Sequence, residues 1–129
     1  PVLKIHQLRY ADDELIKDEI KYISLTLCPK IDHLSTEVSY FKTYEDAYQL
    51  KITDVKQTLS VDILSPESPN NKFGVNFPIP VFILDSVILC KANQVIEIEK
   101  SLYRGDKYKF SIIVNPIYNG HDNKHKKAK

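Results

Sequence analysis

Apolar and polar positions along the first part of the chain follow two different periods. Residues 2–10, VLKIHQLRY, alternate and include β-branched side chains, which predicts a strand. Residues 11–27 place apolar side chains three and four positions apart, which is the spacing of one helix face. The positions that carry this helical pattern are Ile16, Ile20, Ile23 and Leu27. A helix is therefore predicted, with Asp12 and Asp13 at its start and Pro29 at its end.

The rest of the chain predicts strands separated by short connections. Alternation and β-branching favour strands at residues 48–53, 57–64, 94–100 and 107–115. The first two of these are joined by a short, hairpin-like connection. Residues 77–93 are apolar throughout, so their pattern fits either a strand or a short buried helix.

This order of elements predicts an α+β fold. A strand, a helix, two strands, an ambiguous apolar segment and two further strands are close to the split βαβ pattern of ferredoxin-like domains. Such a domain has an antiparallel sheet with helices on one face and the other face open to a partner. We expect the ferredoxin-like domain to span residues 1–118 and to include a C-terminal β-hairpin. Residues 119–129 are expected to form a basic tail or an interdomain linker.

Length and composition fit one cytoplasmic domain. The chain has 129 residues, of which 43% are hydrophobic, which is enough for a core. No stretch approaches the roughly 18–20 apolar residues of a membrane span, and the N-terminus lacks the features of a secretory signal. Cys28 and Cys90 lie in apolar stretches without metal-ligand spacing, which favours two reduced, buried thiols over a disulfide.

Charge is unevenly distributed and points to an anionic partner. Residues 1–65 carry 8 basic and 11 acidic residues, whereas residues 66–129 carry 10 basic and 6 acidic residues. A basic excess interleaved with tyrosines is typical of RNA binding, because phosphates attract cations and unpaired bases stack on rings. The candidate RNA-binding residues are Arg104, Lys107, Lys109, Lys124, Lys126 and Lys127. The alternative is that Tyr108 and Phe110 point into the core and that the lysines only solubilise the surface.

Signatures of catalysis and of cofactor binding are scarce. Three glycines are too few for a phosphate-cradling loop, so no cofactor is predicted. His121 and His125 have a helical zinc spacing, but the surrounding lysines would repel a cation, and no metal site is predicted. His6 could act as a general acid or base, although a position on the sheet surface is the simpler expectation.

The closing strands resemble those of a known family. Residues 93–120, NQVIEIEKSLYRGDKYKFSIIVNPIYNG, resemble the end of the first ferredoxin-like domain in the CasE family. These proteins are the CRISPR-associated endoribonucleases that cut precursor crRNA within Cascade. The matching elements are a strand at residues 94–100, Gly105, an aromatic and basic strand at residues 108–110, Asn115-Pro116 and a basic segment from Lys124.

The resemblance implies an RNA-binding domain equivalent to the N-terminal half of that endoribonuclease. Its partners would be the crRNA repeat and other Cascade subunits. Members of the family have a second ferredoxin-like domain, a Gly-rich loop and a catalytic histidine in the first helix, and this sequence lacks all three. Lys21 and Tyr22 occupy the corresponding region and are the candidate catalytic residues. The alternative is a small non-catalytic module that docks on proteins, including CRISPR machinery, through a sheet edge.

Overall fold

The chain forms one antiparallel five-stranded sheet and a short helix in the computed structural model, which describes residues 1–34 and 39–116. The elements are β1 (Val2–Ala11), β2 (Glu14–Ser24), α1 (Tyr40–Asp46), β3 (Ile52–Leu64), β4 (Ile79–Cys90) and β5 (Gln94–Arg104). The strands lie in the order β1-β2-β5-β4-β3, so β1 and β3 are the two edges of the sheet. The predicted tail, residues 119–129, lies outside the described residues.

β1 and β2 form a hairpin where the sequence pattern predicts a strand and a helix. Asp12 and Asp13 have φ angles of 50° and 65°. Asp tolerates this left-handed region better than most residues, and the pair turns the chain instead of capping a helix. Ile20 and Ile23 then lie on opposite faces of the sheet, because side chains alternate along a strand. The helix prediction was wrong because apolar residues at helical spacing also suit a strand that is covered on both faces.

β3 is a single strand of 13 residues rather than two strands joined by a hairpin. It pairs with β4 along its length, with one register shift between Ile52 and Asp54, so the predicted connection is part of the strand. The ambiguous apolar segment forms β4, and β5 contains the strand predicted at residues 94–100. Residues 108–116 have no regular secondary structure, so the predicted C-terminal hairpin was wrong.

The α+β class and the antiparallel sheet were confirmed, whereas the ferredoxin-like arrangement was not. A split βαβ unit needs a helix between its first two strands. Here β1 and β2 are joined directly, and the helix α1 follows β2. The described elements therefore run β-β-α-β-β-β along the chain.

Each face of the sheet has its own apolar core. We call the face that carries Ile23 and Ile88 the front face, and the face that carries Val81 and Ile83 the back face. The front-face core lies under α1 and contains Ile23, Cys28, Ile31, Tyr44, Ile88, Cys90 and Ile96. The back-face core contains Leu15, Phe73, Ile79 and Val81. Each core covers one end of its face, which leaves the centre of the front face to other side chains.

The helix α1 is short and is fixed by one cap and one buried ring. Its 7 residues begin after Ser39, whose hydroxyl accepts a hydrogen bond from the backbone N–H of Lys42 at 3.2 Å. Tyr44 is fully buried and attaches the helix to the front face. Within residues 1–34 and 39–116, no helix is long and apolar enough to cross a membrane.

Cys28 and Cys90 are free, buried thiols in the front-face core. Burial raises the pKa of the Cys28 thiol to about 11, because the thiolate is disfavoured away from water. We expect a thiol reagent to label neither cysteine in the native protein at neutral pH and to label both after denaturation. Mass spectrometry after timed labelling checks this. Rapid labelling of the native protein, or a bond between the two sulfurs in freshly isolated protein, would contradict it.

Candidate functional site

Charged residues from two adjacent strands occupy the centre of the front face. The opposed residues of β2 and β5 there are Lys17 and Tyr103, Glu19 and Ser101, Lys21 and Glu99, and Ile23 and Glu97. All of them point to the same face, because directly opposed residues of two paired strands share a face and side chains alternate along each strand. We call Lys17, Glu19, Lys21, Glu97 and Glu99 the charged cluster.

Glu19 lies at the middle of the charged cluster. Its carboxylate accepts a hydrogen bond from Lys17 Nζ at 2.6 Å, and its second oxygen lies 3.8 Å from Lys21 Nζ. Lys17 Nζ also lies 3.9 Å from Glu99, whose carboxylate accepts a hydrogen bond from the Ser101 hydroxyl at 2.7 Å. These contacts offset part of the cost of removing the charges from water.

Ion pairing outweighs burial in setting the pKa values of Glu19 and Lys17. Burial disfavours the charged form of Glu19, but the ammonium groups of Lys17 and Lys21 hold the pKa of this carboxyl below its usual range. Burial also disfavours the charged form of Lys17, but contacts with Glu19 and Tyr103 hold its pKa above the usual range. Both groups therefore remain charged at neutral pH and can orient a polar ligand.

Glu97 differs from Glu19 because burial dominates its environment. Glu97 is 3% exposed, and burial raises the pKa of its carboxyl, although the Tyr44 hydroxyl donates a hydrogen bond to it at 2.5 Å. Burial, together with the nearby Glu97, raises the pKa of Tyr44 far above its usual value, so this hydroxyl stays protonated and serves as a donor. A buried carboxyl with a raised pKa is typical of functional sites.

Aromatic rings border the charged cluster at both ends. Lys21 Nζ lies 4.9 Å from the ring centre of Tyr40, and Lys17 Nζ lies 4.8 Å from that of Tyr103. Tyr103 packs edge to face against Tyr108, with 4.7 Å between the ring centres. The front face therefore places the charged cluster between two aromatic walls, Tyr40 at one end and Tyr103 with Tyr108 at the other. This arrangement suits a small polar ligand.

A turn after β5 positions the second aromatic wall. The backbone N–H of Gly105 donates a hydrogen bond to the carbonyl of Pro80 at 2.7 Å, and a Cβ at position 105 would lie 2.8 Å from that oxygen. Only glycine fits so close an approach. The chain then crosses the front face, where the Phe110 ring centre lies 5.3 Å from that of Tyr103 and 5.0 Å from that of Phe82.

A cavity of about 440 Å³ adjoins this wall. Its lining residues are Gln57, Leu59, Leu84, Phe110, Ser111 and Ile112. Leu84 lies opposite Ser101 in the pairing of β4 with β5, so the cavity lies beside the charged cluster on the same face. Its volume is in the range of known small-molecule pockets, roughly 300–1,000 Å³. The front face therefore combines charged groups, rings and space.

His6 lies on the opposite, back face of the sheet. Its Nε2 is 2.5 Å from Asp18 Oδ1, and both residues line a cavity of about 460 Å³ together with Lys4, Lys72 and Lys100. His6 is exposed, which agrees with the simpler expectation that it sits at the sheet surface.

The candidate catalytic residues do not converge on one point. Lys21 belongs to the charged cluster on the front face. Tyr22 lies opposite Ile98 and points to the back face, because adjacent side chains of a strand point in opposite directions. The two side chains therefore cannot act on the same atom of a substrate.

The candidate RNA-binding residues do not form a continuous basic surface in the described part of the chain. Arg104 is buried, and its guanidinium donates hydrogen bonds to Asp106 at 2.8 Å and 3.1 Å. The Lys107 Nζ lies 3.4 Å from a carboxylate oxygen of Glu14. Carboxylates therefore neutralise Arg104 and Lys107, whereas Lys109 is exposed. The remaining candidates, Lys124, Lys126 and Lys127, lie outside the described residues.

The sequence pattern does not single out Glu19, Glu97 or Tyr44. The acids up to Glu19 resemble the solvated first half of a helix, and Glu97 resembles a solvated strand position. A signal is nevertheless present, because Lys17, Glu19 and Lys21 alternate in charge at period two, which places opposite charges on one face of a strand. That signal can be used only after the segment has been assigned as a strand.

Comparison with known proteins gives the family and the fold. A model of the UTRA domain matches residues 1–109. The chain is similar to a GntR-family transcriptional regulator from Enterococcus faecalis V583, with a TM-score of 0.74 and 21% identity, covering 88% of this chain and 81% of that chain. It is similar to the effector domain of PhnF from Mycobacterium smegmatis, with a TM-score of 0.70 and 19% identity, covering 89% and 70%. The ligand-binding domain assigned to a GntR-family transcriptional regulator from Bordetella bronchiseptica gives a TM-score of 0.68 and 16% identity, covering 88% and 73%.

These matches overturn the resemblance to the CasE family. The predicted role in CRISPR RNA processing was wrong, as were crRNA and Cascade subunits as partners and the alternative of a module that docks on CRISPR machinery. Of the residues that suggested the resemblance, 93–109 lie within the UTRA match. A strand, a glycine turn and an aromatic segment are common to many sheets, so they are not specific to one family. The chain belongs to the UTRA domain family.

Proposed function

We propose that this chain is the effector-binding domain of a GntR-type transcriptional regulator and that the charged cluster binds a small polar effector. The UTRA match over residues 1–109 supports the class of protein. Two of the structural neighbours are an effector domain and a ligand-binding domain, which supports the binding role.

The charged cluster is the observation that carries this proposal. Three carboxylates and two lysines are grouped on the inner strands of the sheet, between an apolar core and an aromatic wall. Replacing such buried charges with apolar residues is often neutral or stabilising, so stability alone does not account for them. Departures from a simple apolar core are expected at functional sites.

The chemistry of the charged cluster indicates the kind of effector. Glu19, Glu97 and Glu99 offer acceptors for hydroxyl or ammonium groups, and Lys17 and Lys21 offer donors for acidic or carbonyl oxygens. The walls on either side can pack against the faces or edges of a ring or chain. A compact molecule with both donors and acceptors fits this arrangement better than an apolar one.

In this proposal, RNA is not the partner. Contact with DNA would be made by a separate DNA-binding domain, as the class of the structural neighbours suggests, and this domain would report effector binding to it. Carboxylates of the same chain neutralise Arg104 and Lys107. This supports a domain that does not itself bind a phosphate backbone.

Thermal unfolding in the presence of a panel of sugar phosphates, amino acids and small carboxylic acids tests the proposal. A compound present at 100 times its Kd should stabilise the protein by roughly 2.7 kcal/mol. Glu19→Gln should abolish this stabilisation, because it removes the charge that orients both lysines. Titration calorimetry then measures the affinity of each hit.

Lys100→Met is the matched control, since Lys100 lies on β5 but on the back face. It should bind each hit as the unchanged protein does. Stabilisation that survives in Glu19→Gln, or that is lost in Lys100→Met instead, would place the effector elsewhere and defeat the assignment of the site.

A further inference from the structure

The front face changes from charged to apolar between the inner strands and β3. One row of opposed residues crosses it from β2 to β3, and its members are Glu19, Ser101, Leu84 and Leu59. Glu19 belongs to the charged cluster, whereas Leu84 and Leu59 line the cavity of about 440 Å³, which we call the front-face cavity. Neighbouring strands lie about 4.8 Å apart, so the backbone positions of Glu19 and Leu84 are separated by roughly 10 Å. One small molecule can therefore reach both.

The front-face cavity has a neutral lining. Among the described residues, four apolar and two uncharged polar side chains surround it, namely Leu59, Leu84, Phe110 and Ile112 with Gln57 and Ser111. A charged group placed there would lose water without gaining an opposite charge, which is costly. The cavity therefore suits the apolar part of a molecule and disfavours a phosphate or carboxylate group.

The apolar side chains around the front-face cavity are largely open to water. Leu59 is 45% exposed, Phe110 is 42% exposed and Ile112 is 65% exposed. Single exposed apolar residues are ordinary, but a group of them around one cavity indicates a binding surface. An alkyl chain or a ring that covered this group would remove hydrocarbon surface from water on both sides of the contact, which favours binding.

The charged cluster offers both signs of charge to the polar end of such a molecule. Lys21 and Glu99 are directly opposed on β2 and β5, and Lys17 Nζ lies 3.9 Å from a carboxylate oxygen of Glu99. Lysine ammonium groups bind a ligand carboxylate, and glutamate carboxylates bind a ligand ammonium group, through charge-assisted hydrogen bonds. A zwitterion that carries an ammonium group and a carboxylate on one carbon atom matches such closely spaced opposite charges.

We propose that the front-face cavity takes the apolar part of the effector, which is a small zwitterion of the amino acid type with an alkyl chain or a single ring. This inference rests on the proposed function, because it takes the charged cluster as the site of the polar end. The chain extends from the cluster toward Leu84 and Leu59, and Phe110 and Ile112 contact it from the segment that crosses the front face. A molecule with a short chain would leave the cavity open to a separate apolar compound.

Titration calorimetry of the full chain with alanine, 2-aminobutyrate, norvaline and norleucine tests the proposal. These amino acids share one polar end, and each has one methylene more than the one before it. The affinity should rise about threefold to fourfold per methylene, because each added methylene is transferred from water to an apolar site. The heat capacity change of binding should become more negative along the series, which is the signature of apolar burial.

Three variants separate the apolar part of the ligand from its polar end. Ile112→Ser should weaken the binding of norleucine about fivefold or more and that of alanine less than twofold, since it removes one apolar wall of the cavity. Glu19→Gln should abolish the binding of every member, because it acts on the polar end that they share. Ile113→Ser is the matched control and should leave every affinity unchanged, because the neighbouring Ile113 is 96% exposed and does not line the cavity.

Circular dichroism checks that Ile112→Ser and Ile113→Ser retain the fold, which is expected because both side chains are exposed. Norleucine that binds no more tightly than alanine, or an equal loss of affinity in the two serine variants, overturns the inference. So does a hit of the effector panel that depends on Glu19 while none of the four amino acids binds, and in that case the proposed function stands. If no compound of either set binds in a way that depends on Glu19, the proposed function fails as well.

Discussion

Replacing Tyr44 with Ala is expected to lower the free energy of unfolding by about 3–5 kcal/mol, the usual cost of removing a buried aromatic ring. Tyr44 is fully buried and packs in the front-face core with Ile23 and Ile88. Since α1 has only 7 residues, it has little stability of its own and depends on this ring. Denaturant unfolding followed by circular dichroism measures the change.

Tyr44→Phe separates the contribution of the ring from that of the hydroxyl. This variant keeps the ring but removes the donor to Glu97, and the loss should be about 1–3 kcal/mol because a buried carboxylate is left without a partner. Phe41→Ala, at an exposed position of the same helix, is the control and should change stability by about 0.5 kcal/mol or less. If Tyr44→Ala costs no more than Phe41→Ala, the attachment of α1 to the sheet by this ring is refuted.

Replacing Glu97 with Gln is expected to stabilise the effector-free protein at pH 7 by roughly 0.5–2 kcal/mol, the usual range for a single stabilising substitution. Burial raises the pKa of Glu97, so the charged form is less favourable in the folded chain than in the unfolded chain. Gln has the same shape, carries no charge and can still accept the hydrogen bond from Tyr44. A gain in stability combined with a loss of effector binding would identify Glu97 as a residue retained for function.

The gain from Glu97→Gln should depend on pH in one direction. A carboxyl whose pKa is raised by folding makes its full contribution to stability below its unfolded pKa of about 4.3. This contribution is lost as the pH rises through the folded-state pKa. The two proteins should therefore be equally stable near about pH 4 and diverge toward pH 7.

Glu45→Gln, at an exposed position on α1, is the matched control for this pH dependence and should show no such divergence. Thermal unfolding at a series of pH values makes the comparison. A difference between Glu97→Gln and the unchanged protein that is constant with pH, or a variant that is less stable at pH 7, would contradict the effect of burial on this carboxyl.

Period-two patterns allowed part of the sheet to be predicted from the sequence. β1 and most of β5 alternate clearly, so both were found. β2 was missed because its apolar residues point to both faces of the sheet. Their positions along the chain therefore do not alternate, and their spacing matches that of a helix. β3 was divided in two because the polar residues of an edge strand resemble a turn, although extended backbone accommodates them when one side faces water.

The candidate site depends on contacts that a pattern along the chain does not contain. Glu19 and Ser101 become neighbours only through the pairing of β2 with β5, and Tyr44 reaches Glu97 only because α1 folds over that pair of strands. Lys21 was identified as a candidate, but in a catalytic role taken from another family. The charge and the spacing of these residues were visible, whereas the pairing that gives them a shared function was not.

Phe110 connects the charged cluster with the cavity beside it. Its ring packs against Tyr103 at the end of the charged cluster and lines the cavity next to Leu59 near the sheet edge. If an effector at the charged cluster shifts this ring and thereby changes the affinity of the cavity for a second compound by some factor, that compound must change the affinity for the effector by the same factor. A compound held in the cavity would then change the effector affinity without touching any charged residue of the cluster.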